Sequence, residues 1–158
     1  MGKQHNYSLE VLWLGNRGTG TSGYKEYGRE HLLKIPGKAE IQCSSDPAFQ
    51  GDNTKHNPED LFLASLSACH MLWYLHLCSD AGIIVVDYKD MATGVMQEDA
   101  VDGGRFISVT LNPEVTVTES SMIDKANDLH HEANRKCFIS NSVNFVVEHN
   151  SKCVVSEK

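Results

Sequence analysis

The chain has 158 residues, the size of one domain and long enough to bury a core without disulfide staples. With 41% hydrophobic and 22% charged residues it is not composed like a disordered chain, and its net charge of −7 offers no basic field to a phosphate backbone, so nucleic acid is not an expected partner. Five irregularly spaced cysteines without a C-x-x-C exclude a zinc ribbon or thioredoxin motif; with no secretory pattern in M-G-K-Q-H-N-Y-S, the expected compartment is the cytoplasm and the thiols are free, catalytic or metal-binding.

Taken in order, Y-S-L-E-V-L-W-L alternates as a strand, G-N-R-G-T-G-T-S-G turns, and two short apolar runs between His31 and Cys43 split at Pro36-Gly37. A small antiparallel sheet is expected there. The polar run from Ser44 to His56 is a loop by composition, and it leads into a helix start with Asn57 as N-cap, Pro58 at the first helical position, and Glu59 and Asp60 at the positive end of the dipole. That helix is expected to reach about Asp80 and to stop at Gly82. Next come two strand-rich stretches joined by the turn E-D-A-V-D-G-G, a long hairpin. A second helix follows, capped by Ser120 or Ser121, with Met122, Ala126, Leu129 and Ala133 on one side and Cys137 at its end. A last strand pair, V-N-F-V-V-E-H and K-C-V-V, closes a single α+β domain spanning 1–158.

The first helix raises a membrane question, because Leu61 to Cys78 is free of formal charge. Its His70, His76, Ser65 and Ser67, and the absence of Lys or Arg anchors, favour a buried helix and no membrane partner. Its apolar residues cannot be gathered on one stripe, and a helix apolar all round must be enclosed all round. A second subunit is expected to provide part of that cover.

Several motifs have a functional and an ordinary reading. Gly18 to Gly23 fits G-x-G-x-x-G, but no amphipathic helix follows to receive a pyrophosphate, and Thr21 stands where a P-loop needs Lys; a plain glycine turn is the better reading. Cys69, in the most apolar stretch of the chain, is either a small core residue or a nucleophile in a dry site. What favours chemistry is Cys137, 68 positions on in a polar setting, with an arginine in a glycine turn and an acid able to hold it. His70 and His76 read as core residues or pocket lining. His130 and His131 with Cys69 match no zinc spacing, so no metal and no other cofactor is expected. Cys78 and Cys153 read as bystanders. Met71, Leu72, Trp73 and Tyr74 could line an apolar pocket or only pack.

The segment N-P-E-D-L-F-L-A-S-L-S-A-C-H, with W-L-G-N-R-G-T-G-T before it and C-F-I-S-N-S after it, resembles the OsmC/Ohr family of osmotically inducible and organic hydroperoxide resistance proteins. The resemblance implies an OsmC-like fold, antiparallel sheets around a long buried central helix, in an intertwined homodimer with active sites at the subunit interface. It further implies a cysteine-based peroxidase that reduces organic hydroperoxides and is reset by a small or protein-bound dithiol. Carried over by position, Cys69 is the peroxidatic cysteine, Cys137 the resolving one, Glu59 the acid that holds the active-site arginine, and Arg17 that arginine, with Arg29 as the fallback. Phe138 departs from the family, where Pro is common after the second cysteine.

In such a site a guanidinium would favour the Cys69 thiolate and meet charge developing on the peroxide, while Glu59 orients it. Ten residues of helix put Glu59 about 15 Å from Cys69 along the axis, so Glu59 and Arg17 are expected to serve the partner subunit's site. Two other classes remain: a catalytically silent OsmC-like protein that binds small molecules or thiols, and a Cys–His acyl hydrolase, which lacks an evident orienting acid.

Overall fold

The computed structural model describes residues 2–156; Met1, Glu157 and Lys158 of the expected 1–158 domain lie outside them. Residues 1–61 and 62–158 cluster as two compact units.

In the first unit β1 (Glu10–Trp13), β2 (His31–Lys34) and β3 (Ile41–Cys43) form an antiparallel sheet in the order β1-β2-β3. The turn between β2 and β3 passes through Gly37 at φ 77, a left-handed conformation that suits a residue without a Cβ. The glycine turn after β1 is organised by Asn16, whose side-chain oxygen accepts from the amides of Gly18 and Gly20 at 2.9 and 3.1 Å.

Helix α1 runs from Pro58–Asp80 as its sequence signals predict. Asn57 and Asp60 cap its start reciprocally: the Asp60 amide donates to the Asn57 side chain at 2.7 Å and the Asn57 amide to the Asp60 carboxylate at 3.3 Å. Gly82 at φ 72 ends it in a Schellman arrangement, with Ile83 N–H on the Cys78 carbonyl at 2.9 Å and Gly82 N–H on that of Ser79 at 3.2 Å.

The second unit contains the expected long hairpin, bent into two sheets. Strand β4 (Val85–Asp90) pairs antiparallel with β7 (Pro113–Val117), and β5 (Thr93–Gln97) with β6 (Arg105–Leu111). At the bend Asp90 accepts from the Asn112 amide at 2.7 Å and from the Ser67 hydroxyl, tying the hairpin corner to α1. Helix α2 (Ile123–Lys136) begins after a 3-10 turn at Ser120–Met122, and neither serine caps it: Met122 occupies the N-cap without a side-chain bond. The 3-10 turn has already taken the chain past both serines before α2 opens.

Two further expectations are corrected. The last strands, β8 (Val147–His149) and β9 (Lys152–Val155), are not a pair: β8 lies parallel to β6 and β9 parallel to β7. The sheets β5-β6-β8 and β4-β7-β9 are therefore mixed, not purely antiparallel. Adjacent short strands with similar apolar patterns look like a hairpin in sequence, but each finds a free sheet edge instead.

Within the single chain, α1 is covered along one side only. It buries one stripe, Leu66, His70, Tyr74 and Cys78, and leaves Leu72 63% exposed. By length and composition α1 could cross a membrane; within the chain its buried stripe packs in two apolar clusters. One gathers Tyr74 and Cys78 with Val115, Val117, Ala126, Leu129 and Ala133, and the other gathers Leu66 with Val109, Leu111 and Val147. Alternation along β7, where Pro113, Val115 and Val117 point inward, is the period-two signature of a half-buried strand.

Candidate active site

Two cysteines far apart in sequence meet in the second unit. Cys69 sits midway along α1, and Cys137 follows the last residue of α2 with an extended backbone at φ −64, ψ 115. Their side chains are close enough for the Cys69 thiol to act on that of Cys137, and both are free. Helix α2 brings this about because Ala126, Leu129, His130 and Ala133 form its inward face, and Cys137 continues that face one turn past Ala133.

The burial of the two thiols is the reverse of the sequence expectation. Cys137 is 1% exposed, whereas Cys69 is only half-buried. Cys69 lies one residue off the buried stripe of α1 and so turns about 100° away from it. Of the polar residues that make the Cys137 segment look solvated, His131 and Arg135 are exposed, whereas His130 turns inward. Burial, and then the neighbouring Cys69 thiol, push the Cys137 thiol up to about 11. The backbone N–H groups of Ser140, 3.3 Å from Cys137 Sγ, and of Ile139 act in the opposite direction. The turn they belong to is fastened by Asn141 N–H on the Cys137 carbonyl at 3.0 Å and Asn141 Nδ2 on that of Arg135 at 3.1 Å.

The other expected site residues lie in the first unit. Glu59 is half-buried at the second position of α1, and its Oε2 is buried without a hydrogen-bond partner, an uncompensated acceptor that suits a cation donor. Arg17 is exposed on the glycine turn. Arg29 is engaged locally: its guanidinium donates to the carbonyls of Tyr24 and Tyr27 and stacks 4.5 and 4.0 Å from their ring centres. Among the described residues no ion pair joins Glu59 to either arginine.

The histidines that sequence left open form a buried aromatic stack. His130 lies 3.8 Å from Tyr74, centre to centre and nearly parallel, and its Nδ1 is 3.0 Å from His70 Nε2. His149 flanks both, while His131 is exposed beside His149. Among the described residues no group of three or more His, Cys, Asp or Glu is arranged to hold a metal. Met71 to Tyr74 point in four directions as helix geometry requires, Tyr74 into the core and Leu72 to solvent, and so do not line a common pocket within the chain. What sequence reading missed is the contact of Trp73 with Phe138 and Lys136; the signal available was the placement of Trp73 one turn after Cys69.

A family model described as OsmC-like protein matches residues 51–152. Among solved structures, an OsmC-like protein of unknown function from Vibrio cholerae is similar at TM-score 0.81 and 26% identity, covering 96% of this chain and 100% of its own. An OsmC-like protein from Mycoplasma pneumoniae is similar at TM-score 0.72 and 13% identity, over 96% and 99% of the two chains. An organic hydroperoxide resistance protein from Elizabethkingia anophelis, with thiocyanate bound, is similar at TM-score 0.70 and 21% identity, over 96% and 100%. The last two likenesses are likenesses of fold. No curated protein matches the sequence.

Proposed function

The chain belongs to the OsmC-like protein family, and on that footing we propose that it is a thiol-dependent peroxidase reducing organic hydroperoxides to alcohols. The observation that carries this reading is the neighbouring thiol pair of Cys69 and Cys137, brought together from 68 residues apart, with Cys69 the more accessible. A buried structural thiol needs no such partner. The fold likeness to an organic hydroperoxide resistance protein supports the same reading.

In the proposed cycle the Cys69 thiolate attacks the distal oxygen of the hydroperoxide. The O–O bond breaks, the departing alkoxide takes a proton to become the alcohol, and Cys69 is left as a sulfenic acid. Cys137 sulfur then attacks Cys69 sulfur, and the sulfenic hydroxyl leaves as water with the Cys137 proton. An external dithiol reduces the resulting disulfide by exchange. No cofactor enters the cycle.

The working unit in this proposal is a homodimer of single-domain subunits, cytoplasmic and free of membrane. The exposed Leu72, Ile84 and Met91, at 63%, 55% and 62%, are the apolar surface a second copy would cover. Arg17 and Glu59 are assigned to the activation of Cys69, across the interface, because ten residues of helix separate Glu59 from the Cys69 of its own chain.

The test is thiol counting and peptide mass spectrometry after one equivalent of cumene hydroperoxide, with turnover followed in the presence of a dithiol. A Cys69–Cys137 bridge and loss of turnover in Cys69→Ser are expected. Intact thiols after equimolar hydroperoxide would overturn the proposal and leave a catalytically silent thiol-binding member of the family.

A further inference from the structure

We infer that Trp73 and Phe138 form a positioning clamp that holds the Cys137 segment against the face of α1 bearing Cys69. The inference rests on the two-cysteine reading above.

Phe138 follows Cys137 directly and is 68% exposed, yet its ring meets that of Trp73 edge to face, with centres 5.5 Å apart and planes at 79°. Trp73 is one turn beyond Cys69 on the same face of α1, and helical side chains lean toward the N-terminus, so its ring leans toward the thiol. The residue on the other side of Cys137 reaches the same ring: Lys136 Nζ lies 5.5 Å from the Trp73 ring centre. Both sequence neighbours of Cys137 thus grip one indole, while Cys137 itself, between them, neighbours Cys69.

The chemistry gives this contact a purpose. Closing the disulfide requires Cys137 sulfur to reach Cys69 sulfur in a narrow geometry, and small displacements of a reacting group lower its effective concentration steeply. Cys137 stands outside α2, and the bonds of the turn that follows it, Asn141 N–H on the Cys137 carbonyl at 3.0 Å and Asn141 Nδ2 on that of Arg135 at 3.1 Å, tie that turn to the end of α2 and not to α1. A ring contact across to α1 restrains that segment from the side on which it must react. Trp73 and Phe138 touch neither sulfur in this assignment; they act through the placement of Cys137.

The test is the redox equilibrium of the Cys69–Cys137 pair in glutathione buffers, read by mass spectrometry for wild type, Phe138→Ala, Phe138→Tyr, Trp73→Leu and the double variant Trp73→Leu/Phe138→Ala. An aromatic pair of this kind should change the disulfide-forming equilibrium constant by about three- to tenfold when broken. Phe138→Ala is expected to show that loss and Phe138→Tyr to stay near wild type. The double variant should fall no further than the larger single loss, because one contact cannot be removed twice. In a second measurement, one equivalent of cumene hydroperoxide with dimedone should trap more Cys69 as sulfenic adduct in Phe138→Ala than in wild type. An unchanged equilibrium constant in Phe138→Ala, an equal loss in Phe138→Tyr, or additive losses in the double variant would each overturn the clamp. A wild-type protein that forms the disulfide in glutathione but consumes no hydroperoxide would sink the peroxidase reading and leave the clamp standing.

Discussion

His70 Nε2 lies 3.0 Å from His130 Nδ1, with the two rings parallel within 4° and neither residue exposed to solvent. This bond joins α1 to α2 and requires one ring to donate and the other to accept. Burial, then the nearby His149, lower His70 to about 4; burial, then His70, His149 and His131, lower His130 to about 3. In the unfolded chain both titrate near the ordinary value of about 6.5. Above that pH neither state binds the protons and the stability is intact. As pH falls below it, the unfolded chain takes up protons that the folded one refuses, and stability is lost down to the folded values. Between about pH 7 and pH 5 we expect a loss on the order of 2 kcal/mol for each ring, read as a falling urea midpoint. His130→Phe should make that profile shallower; a wild-type midpoint flat across this range would refute the account.

Thiol reactivity should divide along burial. Cys137 is enclosed and its thiol is pushed up to about 11, so almost none is thiolate near neutrality, whereas Cys69 is half-buried. In reduced protein at about pH 8, iodoacetamide should label Cys69 at least about tenfold faster than Cys137. Peptide mass spectrometry over time checks the order, and equal rates would contradict it.

If the catalytic unit is shared between subunits, mixing Cys69→Ser chains with Glu59→Ala chains should restore part of the activity that each lacks alone. Restoration is expected to approach one working site in two; stable heterodimers without activity would remove the shared site. Leu72→Glu tests the interface itself, since it puts a charge on a side chain that is 63% exposed in the single chain. Sedimentation of that variant should show a smaller mass than wild type at micromolar concentration.

The ends of α1 give two stability predictions. Gly82 holds φ 72 with open space around its Cβ direction, so Gly82→Ala meets no clash but pays for a left-handed backbone, about 1 kcal/mol. Asn57→Ala removes the acceptor of the Asp60 amide and should cost about 1 kcal/mol as well. The sites lie at opposite ends of the helix, so the double variant should show close to the sum in a urea titration.

How much the sequence told depended on whether the signal was local. The bounds of α1 were legible because Asn57, Pro58 and Gly82 are each a backbone instruction with a short range. The hairpin and the inward face of α2 were legible from alternation and from helical spacing. The partners of β8 and β9 were not, since apolar alternation marks a strand without naming the edge it joins. Nor was the buried stripe of α1, because a helix apolar on every side carries no periodic contrast, and the stripe chosen includes His70. The same lack of contrast hid that Cys69 lies off the buried stripe of α1, and the polar residues before Cys137 hid that it continues the inward face of α2. The two cysteines themselves were found because their residue type in that order suits one chemistry; the ring contacts beside them depend on side-chain directions that only the fold supplies.

The parallel placement of β8 and β9 bears on the order in which the molecule can assemble. Val109 pairs with Val147, and Val115 with Cys153, so each of these sheets gains its third strand from residues 38 positions further along. Contacts of such long range are the slow ones, because a large loop must close before any bond repays it. A chain emerging from the ribosome can form α1 and the hairpin while both sheets still lack an edge, and Cys69 is present well before Cys137 has been made. During that interval the thiol has no partner to resolve an oxidation. A sulfenic acid formed on Cys69 in that interval could not close onto Cys137, so the protection that the pair is proposed to give starts only when the last third of the chain is in place.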